Sequence, residues 1–119
     1  MKKKLAKELN YLECTPVRNY EHQVKEDGLI DVLVPRFKSD WLSKFLMPKK
    51  RSIFIRANLD ELGTAVWQLI DGNNKVDFIS EKLSEKFGEN IQPVNDRLIL
   101  FLTQLYRNGF IKFKELERN

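Results

Sequence analysis

The stretch from Asn58 to Gly72, NLDELGTAVWQLIDG, constrains this chain more than any other, because both of its ends are punctuated. Asn58 stands where a helix cap would. Glu61 follows three residues on, the spacing in which each side chain covers an orphan amide of the other's backbone. Asp71-Gly72 closes the stretch, since glycine takes up a left-handed conformation without steric cost. Between them Leu62, Val66, Leu69 and Ile70 recur at helical spacing, with Ala65 and Trp67 widening the stripe. Gly63 inside the first turn costs about 1 kcal/mol relative to alanine, which points to the close approach of another backbone.

Two more helices are expected after it. One runs from about Val76 to Phe87, with Val76, Ile79, Leu83 and Phe87 on one face and Gly88 as terminator. The other opens at Pro93, a favoured first-turn residue, and continues to Asn108-Gly109. A short apolar strand, Phe110 to Phe113, then returns towards the sheet.

Before Asn58 the hydrophobic period is two. Tyr20, His22 and Val24 alternate with Glu21, Gln23 and Lys25, as in a half-buried strand. Asp27-Gly28 marks a hairpin turn in which both central residues would take positive φ. Leu29 to Val34 forms the return strand, ending at Pro35. Ser52 to Ala57 is a third strand, with Ile53 and Ile55 on one face and Phe54 and Arg56 on the other. The expected fold is α+β, a winged helix-turn-helix: a small three-stranded antiparallel sheet, three helices and a short C-terminal strand.

Residues 20–113 form a single domain in this reading, between a lead-in (1–19) and a short tail (114–119). In the lead-in Leu5, Leu9 and Leu12 suit a helical turn or two, which Pro16 ends; Lys2 to Lys4 read as a solvated tail. Residues 36–51, RFKSDWLSKFLMPKKR, are a basic amphipathic insertion of net charge +5. Either its apolar face folds back on the sheet, or it offers a basic patch to an acidic partner or a membrane surface.

Composition narrows the function. At 119 residues, 42% of them apolar, the chain is one folded domain. No run reaches the ~20 apolar residues of a membrane span, and the start lacks a signal core, so a cytoplasmic protein is expected. One cysteine, Cys14, and one histidine, His22, lie in different segments and make no metal site. Asp60-Glu61 and Asp71 are helix-end residues rather than an acid/base pair. There is no phosphate loop or nucleophile motif, so no cofactor and no catalysis are expected.

Residues 1–56 carry 13 basic and 7 acidic side chains, and residues 57–119 carry 8 basic and 10 acidic. The helical half is thus net negative. On the third helix Val94, Leu98, Phe101, Leu102 and Leu105 form a stripe that Ile99 and Tyr106 widen to roughly 160°. Only Arg97 and Arg107 are basic there, whereas phosphate binding enlists several cationic contacts. A wide apolar helix beside a small sheet with a free edge suits β-augmentation, in which a peptide adds its backbone to the edge strand.

LDELGTAVWQLIDG, KVDFISEKLSEKFG and DRLILFLTQLYRNGFIKF together resemble the PqqD family, named for a pyrroloquinoline quinone synthesis protein. The shared features are the Leu-Asp opening, Gly63, Trp67, Asp71-Gly72, Phe87-Gly88, Arg97-Leu98, Phe101-Leu102, Leu105 and Asn108-Gly109-Phe110-Ile111. The likeness covers residues about 18 to 113. It implies the winged-helix peptide-recognition element of ribosomal peptide natural-product pathways, which binds a precursor's leader peptide and presents it to a modifying enzyme, often a radical SAM enzyme. Carried over, the binding residues are Ile53, Phe54, Ile55 and Arg56 on the strand and Arg97, Leu98, Phe101 and Leu102 on the helix. Arg97 is the candidate partner for an acidic leader residue. Two other classes stay open: a winged-helix nucleic-acid-binding regulator, and a structural module that pairs with itself through the sheet edge.

Overall fold

The computed structural model describes residues 10–35 and 54–116. Ser52 and Ile53 of the expected third strand, the insertion at 36–51, the first nine residues and the last three lie outside them. The described chain is α+β. Its elements are β1 (Pro16–Arg18), β2 (His22–Val24), β3 (Ile30–Pro35), β4 (Phe54–Asn58), α1 (Glu61–Leu69), α2 (Val76–Phe87), α3 (Val94–Arg107) and β5 (Ile111–Phe113). They group into two compact units, one spanning Tyr20–Thr64 and one combining Met1–Asn19 with Ala65–Asn119. The chain passes from the first to the second within α1.

The first unit holds an antiparallel sheet of order β2-β3-β4. His22 pairs with Val32, and Val32 with Ala57, so the apolar faces of all three strands coincide. Ile30 and Val32 are fully buried at its centre. The hairpin differs from expectation in its turn. Gly28 takes φ +88°, but Asp27 does not take positive φ. Gly28 N–H instead donates to the Lys25 carbonyl and Lys25 N–H to the Leu29 carbonyl, the longer hairpin loop with one left-handed glycine. Asp27 Oδ1 accepts from Leu29 N–H at 2.9 Å.

Asn58 does not cap α1. It is the last residue of β4, and Asp60 takes the cap: its Oδ1 accepts from Gly63 N–H at 2.8 Å and its carbonyl accepts from Thr64 N–H. The strand simply runs on far enough to consume Asn58. Thr64 Oγ1 accepts from Ile30 N–H at 3.0 Å, which ties the start of β3 to the first turn of the helix.

The second unit is built around Trp67, Ile70, Val76, Ile79, Leu83, Leu102, Ile111 and Phe113, all nearly or wholly buried. α2 has the expected ends, and Gly88 at φ 60° follows it. α3 starts one residue later than expected, with Pro93 outside it in extended conformation. β5 does not join the three-stranded sheet. It pairs antiparallel with β1, Val17 opposite Lys112, in a separate two-stranded sheet. Part of the expected lead-in is therefore structural. Residues 11–13 form one 3-10 turn, with Asn10 Oδ1 accepting from Leu12 N–H. The Cys14 carbonyl then accepts the Val76 N–H at the start of α2, and Tyr11 packs edge-on against Phe113 at 5.8 Å.

Candidate functional site

β4 lies at one edge of its sheet and pairs only with β3 among the described residues. Leu59 N–H donates to the Ile30 carbonyl, and with the register of β4 on β3 this fixes the alternation of the ladder. Ile55 and Ala57 turn their main-chain groups towards β3, whereas Arg56 and Asn58 turn theirs outward. An incoming strand would find these donors and acceptors in extended geometry. Side chains alternate across the same strand. Ile55, 48% exposed, shares the apolar face with Val32, while Arg56 and Asn58 lie on the other with Asp31.

Asp31 is the residue around which that second face is arranged. It is 3% exposed near the start of β3, the central strand of its sheet. Asn58 Nδ2 donates to its Oδ1 at 2.6 Å. Lys25 Nζ lies 3.3 Å from Oδ1, and Arg56 Nη1 lies 3.4 Å from Oδ2. The Asn58 hydrogen bond, then the two cations, hold the Asp31 carboxyl below its ordinary value against the opposing effect of burial. Sequence reasoning passed over Asp31 and gave Asn58 and Lys25 other places, as a helix cap and a strand's polar face. The signal was present: an aspartate interrupts the apolar run Leu29–Val34, and a buried carboxylate requires partners.

On α3 the expected site residues separate into two groups. Leu98 is 2% and Leu102 0% exposed, so both belong to the core of their unit. Phe101 is half-buried and Arg97 exposed. Arg97 Nη1 donates to the Asn90 carbonyl at 2.8 Å, which uses one of its five donors. The opposite flank of α3 is occupied: Tyr11 hydroxyl and Thr103 Oγ1 are hydrogen-bonded at 3.2 Å, and the Tyr106 ring lies 5.4 Å from that of Phe113. Ser80 Oγ donates to Asn95 Oδ1 at 2.5 Å, linking α2 to the start of α3. On the flank carrying Arg97, Phe101 and Gln104, Gln104 is exposed and its carbonyl accepts from Asn108 N–H and Nδ2. On β4, Phe54 is half-buried, Ile55 and Arg56 are exposed, and Ile53 lies outside the described residues.

Cys14 is buried, and burial, with Glu115 and Glu13 nearby, raises its thiol pKa, the reverse of an activated nucleophile. Among the described residues no group of His, Cys, Asp and Glu is placed to hold a metal ion. No helix among them is long and apolar enough to cross a membrane.

Comparison with known proteins gives one match. Neither curated proteins nor solved structures yield a similar chain. The sequence profile of the family described as coenzyme PQQ synthesis protein D (PqqD) matches residues 45–111. That span is more than half of the chain and runs from before β4 to the first residue of β5. It takes in β4, α1, α2 and α3 in order, and this chain belongs to the PqqD family.

Proposed function

We propose that this chain is a non-catalytic peptide-binding adaptor. It binds the leader of a ribosomally made precursor peptide by strand addition to β4 and presents it to a modifying enzyme of the radical SAM class. The observation that carries this reading is the outward edge of β4, where Arg56 and Asn58 direct main-chain groups away from β3. Membership of a family named for coenzyme PQQ synthesis supports it. Main-chain hydrogen bonds supply affinity in such a mode, and alternate side chains supply preference. Arg97 and Phe101 are proposed as further contacts for the leader. Leu98 and Leu102, being buried, act through packing. The winged-helix description of the fold belongs to the same proposal.

A nucleic-acid regulator is not favoured. α3 offers only Arg97 and Arg107 as basic side chains, and Arg97 already donates to the Asn90 carbonyl.

The test is amide NMR of the labelled chain titrated with synthetic peptides from small open reading frames beside its gene. Shifts clustered on residues 54–58 and on the Arg97–Phe101 flank are expected for one of them. Peptide-free spectra throughout, with a DNA duplex shifting α3 instead, would overturn the proposal.

A further inference from the structure

The two faces of β4 differ in chemistry, and that difference specifies the strand which can pair with it. On one face Ile55 is exposed beside Ala57, in line with buried Val32 and Ile30. On the other, Arg56 is, among the described residues, the charge nearest the unpaired edge of β4, its side chain 52% exposed. Among the described residues its partner is Asp31, at 3.4 Å through Nη1, which leaves the other guanidinium donors without a partner there.

Asp31 cannot neutralise Arg56 fully, because Lys25 and Asn58 share its other oxygen. Among the described residues a further carboxylate on this face, Glu21, lies opposite Leu33 through its carbonyl's bond to Leu33 N–H. That places it two strands from Arg56, about 10 Å at ordinary strand spacing. Among the described residues the edge therefore presents one under-compensated cation, Arg56, and on its other face an apolar strip.

We infer that the peptide strand received by β4 carries an acidic side chain beside Arg56 and apolar side chains on the Ile55 face. The inference rests on the strand-addition reading and adds to it the class of peptide. Neighbouring residues on one face of a sheet stabilise the pair when oppositely charged and oppose it when alike. An Arg–carboxylate pair adds directional hydrogen bonds that a lysine or a neutral side chain would not supply in the same form. A second copy of this chain is a poorer occupant, since antiparallel pairing of two β4 strands about their centres sets Arg56 against Arg56.

The experiment is a display selection of random peptides of about ten residues, the upper length of a single strand, on the full chain. Selections on Arg56→Gln and Arg56→Glu variants run in parallel, each variant first checked for a native-like amide spectrum. Peptides enriched on the parent are titrated into the labelled chain. The expected result is a set that shifts β4 amides and shares Asp or Glu between apolar neighbours. Replacing that acid by its amide should weaken binding about three- to tenfold. Arg56→Gln should remove the acidic preference, and it keeps the test decisive if Arg56→Glu fails to fold beside Asp31. Peptides that shift β4 without an acidic preference, or whose preference survives Arg56→Gln, would overturn this inference and leave strand addition standing. Absence of enrichment, or shifts confined to residues outside β4, would overturn strand addition and this inference with it.

Discussion

Arg18 donates through Nε and Nη2 to the main-chain carbonyl of Trp67, at 3.1 and 2.6 Å, and its guanidinium sits 5.5 Å from the centre of the same indole ring. That carbonyl belongs to the last turn of α1, where it also accepts from Ile70 N–H at 3.1 Å and where the helix dipole favours a cation. Burial draws the Arg18 pKa below its ordinary value while Asp71 pulls it back, and the guanidinium remains charged. One side chain from β1 thus closes a helix that begins more than forty residues later.

Arg18→Met keeps the aliphatic stem and removes both hydrogen bonds. A loss of about 2 kcal/mol is expected in urea denaturation, with the unfolding slope unchanged. A variant within a few tenths of the parent would show that water replaces the guanidinium without cost.

Acid should weaken the fold through two carboxylates. At Glu115 burial acts to raise the pKa, but the N–H and hydroxyl of Thr15, at 2.7 and 2.8 Å, outweigh it and leave it below its ordinary 4.5. Asp31 is held below its ordinary 3.8 by Asn58 and its two cations. A depressed carboxylate stabilises the fold fully above its unfolded value and loses that contribution as pH falls through the folded one. Stability is therefore expected to be level near neutrality and to decline below about pH 4.5. Thr15→Val should cost about 1 kcal/mol at pH 7 and shrink the difference between pH 7 and pH 3. An unchanged pH profile would exclude the Thr15–Glu115 clasp as a source of the acid sensitivity.

Asp60 and Asn58 should respond differently to alanine. Asp60→Ala removes the cap of α1 and is expected to cost about 1 kcal/mol. Asn58→Ala leaves that cap intact and deprives Asp31 of its closest donor, so the Asp31 carboxyl should titrate higher. Carbon-detected NMR titration of the Asp31 side chain checks this. A carboxyl that titrates unchanged would mean that Lys25 and Arg56 alone set its pKa.

Core and contact residues on α3 can be separated in the same way. Leu102→Ala should destabilise the fold by about 3 kcal/mol, whereas Arg97→Ala loses one exposed bond and should cost well under 1 kcal/mol. If Arg97 meets the leader, its alanine variant weakens peptide binding with a native melting profile. Full binding by Arg97→Ala would remove it from the proposed site.

The sequence carried the local signals well. α2 is bounded as expected because Gly88 stops it and its apolar residues keep one period. The faces of β2 and β4 followed from alternation alone. What was illegible is non-local. Pro16–Arg18 is too short to show a period, and it becomes a strand only because Ile111–Phe113 pairs with it. Asn58 and Asp60 offer the same capping chemistry two residues apart, and only the length of β4 decides between them. On α3 the apolar arc included Leu98, Leu102 and Phe101 alike. Their different burial is set by the packing of α3 in the folded chain, which helical spacing cannot reveal.

The pairing of β1 with β5 also bears on the order in which the chain can assemble as it is made. Thr15 and Glu115, which clasp at the end of that pair, are separated by 100 positions. The β2–β3 hairpin needs only neighbouring residues and can close as soon as it leaves the ribosome. The other unit must hold Pro16–Arg18 without their strand partner until Ile111–Phe113 arrives. A chain that stops short of Ile111 would therefore leave Pro16–Arg18 without a paired strand and Tyr11 without the Phe113 ring, near the opposite terminus from the cut.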